Sequence, residues 1–131
     1  MEKQQRQGAV TVEFALTAGI AFATFFAAFE FCRVAMIRHT TDNAVYEACR
    51  VGIVPGATRA DVEARAQTVL GTIGLGSTSI TITPAVIDAD TTDITVSIDV
   101  PIDGNSFVPP QFTGGNTISR TLTMQRERVG S

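Results

Sequence analysis

The sequence predicts an α+β chain: a long N-terminal helix that begins as a membrane span, a second short helix, and a small antiparallel sheet. Three observations carry this. The residues between Phe14 and Phe29 include no charge. Apolar residues then recur at helical spacing as far as Gly52. Beyond Ser79 the apolar period changes from helical to two. A length of 131 residues fits one domain of ordinary size, and 44% hydrophobic content with a net charge of −3 excludes wholesale disorder and a basic nucleic-acid-binding surface.

Each element follows from its own pattern. Residues 1–8 are polar and end in Gly8. The 21 residues from Ala9 to Phe29 are apolar except for Glu13 and a few Thr. As a helix they span about 31 Å, matching a bilayer core of about 30 Å. Phe14, Ala18, Phe22, Phe25 and Phe29 form one stripe, free to face lipid or neighbouring helices. No breaker follows. Val34, Ile37, Thr41, Val45, Ala48 and Gly52 share a face, with Arg33, Arg38, Asp42 and Glu47 on other faces. One helix therefore runs over 9–52, apolar to about 29 and amphipathic after it, ended by Gly52 and Pro55-Gly56.

Thr58 and Asp61 have capping-box spacing and open a second helix over about 59–71, with Val62, Ala66, Val69, Leu70 and Ile73 at helical spacing. Gly71, Gly74 and Gly76 stop it. Residues 79–83 read as a short strand closed by Pro84, and Ile94, Val96, Ile98, Val100 and Ile102 mark a longer one. A third carries Ile118, Leu122 and Met124 on one face, with Arg120 an exception suited to a sheet edge. Phe107-Val108-Pro109-Pro110 belongs to a connecting loop.

Chemistry-bearing residues are sparse: two Cys, one His, one Tyr and no Trp. Cys32 and Cys49 lie 17 residues apart on one helix. That separates them by roughly 25 Å, too far for a disulfide within the chain. His39 has no evident catalytic partner, and the Gly71–Gly76 stretch lacks a phosphate-loop pattern. Asp88, Asp90 and Asp93 cluster as calcium ligands can, but not at EF-hand spacing, and Asp is a common turn residue. No nucleophile–base pair or metal cluster is recognisable, so the expectation is a non-enzyme without a cofactor.

The most informative stretch is Arg6-Gln7-Gly8 followed by Ala9-Val10-Thr11-Val12-Glu13-Phe14. It resembles the class III prepilin signal of type IV pilin-like proteins. The resemblance implies that a prepilin peptidase cuts between Gly8 and Ala9, leaving Glu13 at the fifth mature position. Glu13-Phe14 is also similar to the Glu-Tyr pair of Flp pilins. A carboxylate inside an apolar span is expensive unless partnered. Cleavage would create a partner, the new α-ammonium at Ala9, one helical turn away on the same chain or on a neighbour. Otherwise Glu13 snorkels to the surface or stays protonated.

Glu30-Phe31-Cys32-Arg33, Asp42-Asn43-Ala44 and Glu47-Ala48-Cys49-Arg50 resemble the TadE-like family of minor pseudopilins, where Glu-Phe-Gly-Arg and Glu-Gly-Ala-Arg are typical. Here Cys32 replaces the first Gly and Ala48-Cys49 replaces Gly-Ala, all small residues. Glu30–Arg33 and Glu47–Arg50 are each i,i+3 and read as helix-surface ion pairs, with a role in docking other pilus components as the alternative.

The resemblance implies a type IV pilin-like fold with a cytoplasmic leader at 1–8, the helix over 9–52, and a periplasmic α+β head over 57–131. It implies a non-catalytic minor pseudopilin of a Tad/Flp pilus, anchored by a single pass in the bacterial inner membrane, with incorporation into an extracellular, adhesive pilus left open. The implied partners are prepilin peptidase, the major Flp pilin, other minor pseudopilins, the Tad assembly platform and the lipid bilayer, and no nucleic acid. Lys3 and Arg6 precede the span while Arg33 and Arg38 follow it, so charge alone does not orient the chain. Two rivals remain at this point. One is an unprocessed, single-span anchored binding module in the periplasm. The other is a secreted protein cut near Ala21-Phe22-Ala23, against which Glu13 and the long apolar continuation argue.

Overall fold

In the computed structural model the backbone is described for residues 2–126 and the side chains for residues 8–126. Five elements follow in order: α1 (Glu2–Gly52), α2 (Arg59–Gly71), β1 (Ser79–Thr83), β2 (Asp93–Pro101) and β3 (Thr117–Gln125). The architecture is α+β: a long apolar N-terminal helix, a short second helix and a three-stranded antiparallel sheet ordered β1-β2-β3.

Helix α1 begins at Glu2, seven residues ahead of the expected Ala9. Glu, Lys, Gln and Arg over 2–7 are good helix formers, and one Gly at position 8 weakens a helix by only about 1 kcal/mol. The stretch therefore continues the helix instead of interrupting it. The apolar window of α1 has 0% of its residues buried, so this half of the stem is exposed, touching the head only at its end, where Phe29 lies near Phe107.

The C-terminal half of α1 and all of α2 cover one face of the sheet. Ile37, Val45 and Ala48 from α1, Val62, Ala66 and Leu70 from α2, and Ile94, Val96, Ile98 and Val100 from β2 make the core. Strand β2 is central, and every second residue of it points into that core. Its register pairs Ile98 with Ile80 on one side and with Arg120 on the other. The opposite face is polar: the Thr95–Thr123 and Ser97–Thr121 hydroxyls meet across the strands at 2.8 Å. Arg120 lies on edge strand β3, turned toward the helices, and donates to Asp42 of α1.

Two local signals act as the sequence suggests. Thr58 caps α2 in a complete capping box: its hydroxyl accepts from the Asp61 N–H, while Asp61 accepts from the Thr58 N–H at 2.9 Å. Gly74 takes a φ of +70° just after α2, a left-handed position that a side chain would strain. Gly52 is the last residue of α1, as expected, and has a packing role as well. A Cβ there would lie 3.0 Å from Ile94 and 3.1 Å from Val62, so its bareness lets α1, α2 and β2 meet.

Strand direction orients the head on the stem. The start of β2 lies by Gly52, where Ile94 packs, and Ile102 after its end lies by Val34, Ala35 and Arg38. The connection between β2 and β3, residues 102–116, therefore hangs at the end of the head nearest the apolar half of α1. The connection between β1 and β2 sits at the far end, where the Arg126 N–H donates to the Thr92 carbonyl.

Candidate functional site

The most elaborate side-chain chemistry among the described residues joins α1 to the 102–116 loop. Glu30, partly buried, accepts four hydrogen bonds from the loop. These come from the N–H groups of Gln111 (3.1 Å), Phe112 (3.0 Å) and Thr113 (2.7 Å), and from the Thr113 hydroxyl (2.6 Å). A carboxylate meeting successive backbone N–H groups makes charge-assisted bonds, stronger than neutral ones.

Arg33, one turn further along, is 4% exposed. Its Nε donates to the Asn105 carbonyl at 2.9 Å and its Nη2 to the Ile73 carbonyl at 3.2 Å. Its Cζ lies 4.1 Å from the centroid of the Phe107 ring, a cation–π contact. Its Nη1 is buried without a hydrogen-bond partner.

Asn105 completes the junction. It is 4% exposed, accepts from the Gly76 N–H at 3.1 Å, and donates to the Ser77 carbonyl (2.9 Å) and the Pro101 carbonyl (2.8 Å). One side chain thus ties together the α2–β1 connection and the end of β2, while its backbone carbonyl takes the Arg33 bond.

This arrangement corrects two expectations. Glu30 and Arg33 are not joined as a helix-surface ion pair; each reaches across to the loop. Nor does Arg33 lie on a solvent face, because its position in line with Ile37 and Thr41 puts it on the buried side of α1. Glu47 and Arg50 do approach, at 3.9 Å, but the shorter contact of Glu47 is to Arg65 of α2, at 2.8 Å. That pair links two helices at the surface, a link spacing along α1 alone does not disclose.

The remaining candidates are placed as follows. Gly8, Ala9, Glu13 and Phe14 lie on the exposed surface of α1. A Cβ at Gly8 would meet nothing within 4 Å. His39 is exposed on the same helix. Cys32 is exposed, and Cys49 is buried with its thiol toward the Leu122 carbonyl at 3.4 Å. Asp88 is a turn residue: its carboxylate accepts from the Asp90 N–H and the Thr91 hydroxyl, and the Thr91 hydroxyl foremost holds its pKa below the usual carboxylate value. Among the described residues no three His, Cys, Asp or Glu groups are placed to hold a metal.

The geometry builds a joint between the head and a long, exposed apolar stem. No curated protein and no solved structure matches the chain. A family model does: residues 8–50 match the family described as TadE-like protein. The matched stretch includes Gly8, Glu13, Glu30, Arg33, Glu47 and Arg50, and lies entirely within α1. Over residues 8–50 the stem is similar to that family.

Proposed function

We propose that the protein is a minor pseudopilin of a Tad/Flp pilus. The observation that carries this reading is the coincidence of the TadE-like match with a continuous, exposed apolar helix bearing Gly8 and Glu13. Prepilin peptidase cuts between Gly8 and Ala9. The stem stays in the inner membrane with the head in the periplasm until assembly, and then packs against the major Flp pilin and other minor pseudopilins at the Tad platform.

Glu13 is the assembly residue in this account, with Phe14 beside it on the packing surface. Its carboxylate pairs with the new Ala9 ammonium, about 6 Å along the helix on the same chain or on a neighbour. An ion pair in an apolar medium is sensitive to position, so it fixes the axial register between stems. The Glu30–Arg33 joint holds the head at a fixed place on the stem, so that stem register becomes head register. The chain performs no chemistry of its own.

The test is complementation of a strain lacking this protein. Glu13→Ala is expected to restore normal amounts of processed protein but not pili, scored by microscopy and shear fractions. Full piliation by Glu13→Ala would overturn the register role.

A further inference from the structure

We infer that the 102–116 loop is a second membrane contact, seated in the interfacial layer of the bilayer beside the stem. This goes beyond pilus assembly and rests only on α1 being the membrane anchor. The loop presents Phe107 (66% exposed), Val108 (45%) and Phe112 (63%) to the outside. From Gly104 to Ser119 it contains no charged residue. The other end of the sheet is acidic, with Asp88, Asp90 and Asp93 around the β1–β2 connection.

The position of the loop along α1 selects lipid as its occupant. The Phe107 ring lies 6.3 Å from that of Phe29, and a cleft of about 180 Å³ between loop and stem is lined by Phe26, Phe29, Val108 and Phe112. Phe26 and Phe29 close the uncharged stretch of α1. Counting about 20 residues back from Phe29 spans the roughly 30 Å of a hydrocarbon core and ends near Ala9. The loop therefore overlaps the last turn of the span, where a bilayer changes from acyl chains to headgroups. Aromatic side chains are favoured at that depth.

The joint at Glu30 and Arg33 explains how such a loop holds its shape. Glu30 takes the N–H groups of Gln111, Phe112 and Thr113, and Arg33 takes the Asn105 carbonyl. Backbone polar groups are thus satisfied at the one depth where water becomes scarce. The loop and the span together make two contacts with one membrane, which sets both the depth of the stem and the tilt of the head.

The chain has no Trp, so single-Trp variants report without background. Phe112→Trp and Val108→Trp probe the loop, Phe22→Trp the span, and Val86→Trp the far end of the head, where Val86 is 72% exposed. The full chain is reconstituted in equimolar phosphatidylcholine and phosphatidylglycerol vesicles. Lipids brominated high on the acyl chain, lipids brominated near its end, and aqueous iodide serve as quenchers.

Both loop variants are expected to be quenched several-fold more by the shallow bromines than by the deep ones, and several-fold less by iodide than Val86→Trp. Iodide quenching of the loop equal to that of Val86→Trp, with Phe22→Trp deeply quenched, overturns the proposal and leaves the anchor intact. Loop tryptophans shielded from iodide and bromines alike mean that protein covers the patch, which also overturns it. If Phe22→Trp escapes the bromines, the anchor itself fails and the loop contact falls with it.

Discussion

The Nε of Arg33 donates to the Asn105 carbonyl at 2.9 Å across 72 residues of sequence. This bond is the centre of the joint between stem and head: Arg33 comes from the turn of α1 just past the apolar span, and Asn105 ties down two head connections. Removing the Arg33 guanidinium leaves the Asn105 carbonyl, at a buried contact, and the Ile73 carbonyl, at a part-buried one, without this donor.

Arg33→Ala leaves the Asn105 and Ile73 carbonyls without their donor, and such losses destabilise by about 1–3 kcal/mol. A lower melting temperature of the full chain in detergent is expected, together with faster chymotrypsin cleavage at Phe107 and Phe112. Arg33→Lys recovers only part, because an ammonium lacks the planar fork that serves two carbonyls and stacks on Phe107. Wild-type melting and cleavage in both variants would contradict the joint.

Glu30→Ala removes the acceptor for three backbone N–H groups and one hydroxyl. Loop amides over 111–113 should exchange with deuterium faster while those of β2 keep their protection. Glu30→Gln keeps an acceptor oxygen and should fall between the two. Unchanged exchange at 111–113 in Glu30→Ala would show that the loop is held by other means.

Gly52 and Gly71 give opposite expectations. A Cβ at Gly52 comes within 3.0 Å of Ile94 and 3.1 Å of Val62, whereas one at Gly71 meets nothing within 4 Å. Gly52→Val overfills a tight crossing and should destabilise by about 1–3 kcal/mol. Gly71→Ala should stabilise by up to about 1 kcal/mol through the lower entropy of its unfolded chain. Urea or thermal melts of the two variants check the pair, and equal effects would refute the packing role of Gly52.

The capping box of α2 carries a pH dependence. The Thr58 hydroxyl first, and then the Thr58 N–H, holds the Asp61 pKa below its ordinary value. A depressed carboxylate contributes stability that is complete above the unfolded value, about pH 4, and is lost as pH falls through the folded value. The melting-temperature gap between wild type and Asp61→Asn should therefore close in acid. A gap that stays constant down to pH 2, roughly two units below the ordinary carboxylate value, would contradict this.

Local pattern made most of the fold legible. Strand β2 alternates over Ile94, Val96, Ile98 and Val100, and Thr58 with Asp61 marks the start of α2; each signal is contained within a few residues. The stem–head joint was not legible in the same way, because the partners of Glu30 and Arg33 lie 40 to 83 residues away. Their i,i+3 spacing imitates a surface ion pair. A clue was present nonetheless: Arg33, Ile37 and Thr41 are spaced four apart, and all three are buried. Extending the buried stripe back to Arg33 finds an arginine that needs partners from elsewhere in the chain.

The intact mass of the membrane-extracted protein, made with and without a matched prepilin peptidase, decides whether the chain enters the pilin pathway. A chain beginning at Ala9 is expected only when the peptidase is present, and an uncut chain for Gly8→Trp under the same conditions. A leader that survives an active, matched peptidase would contradict this expectation and leave a membrane-anchored head outside the pilin pathway.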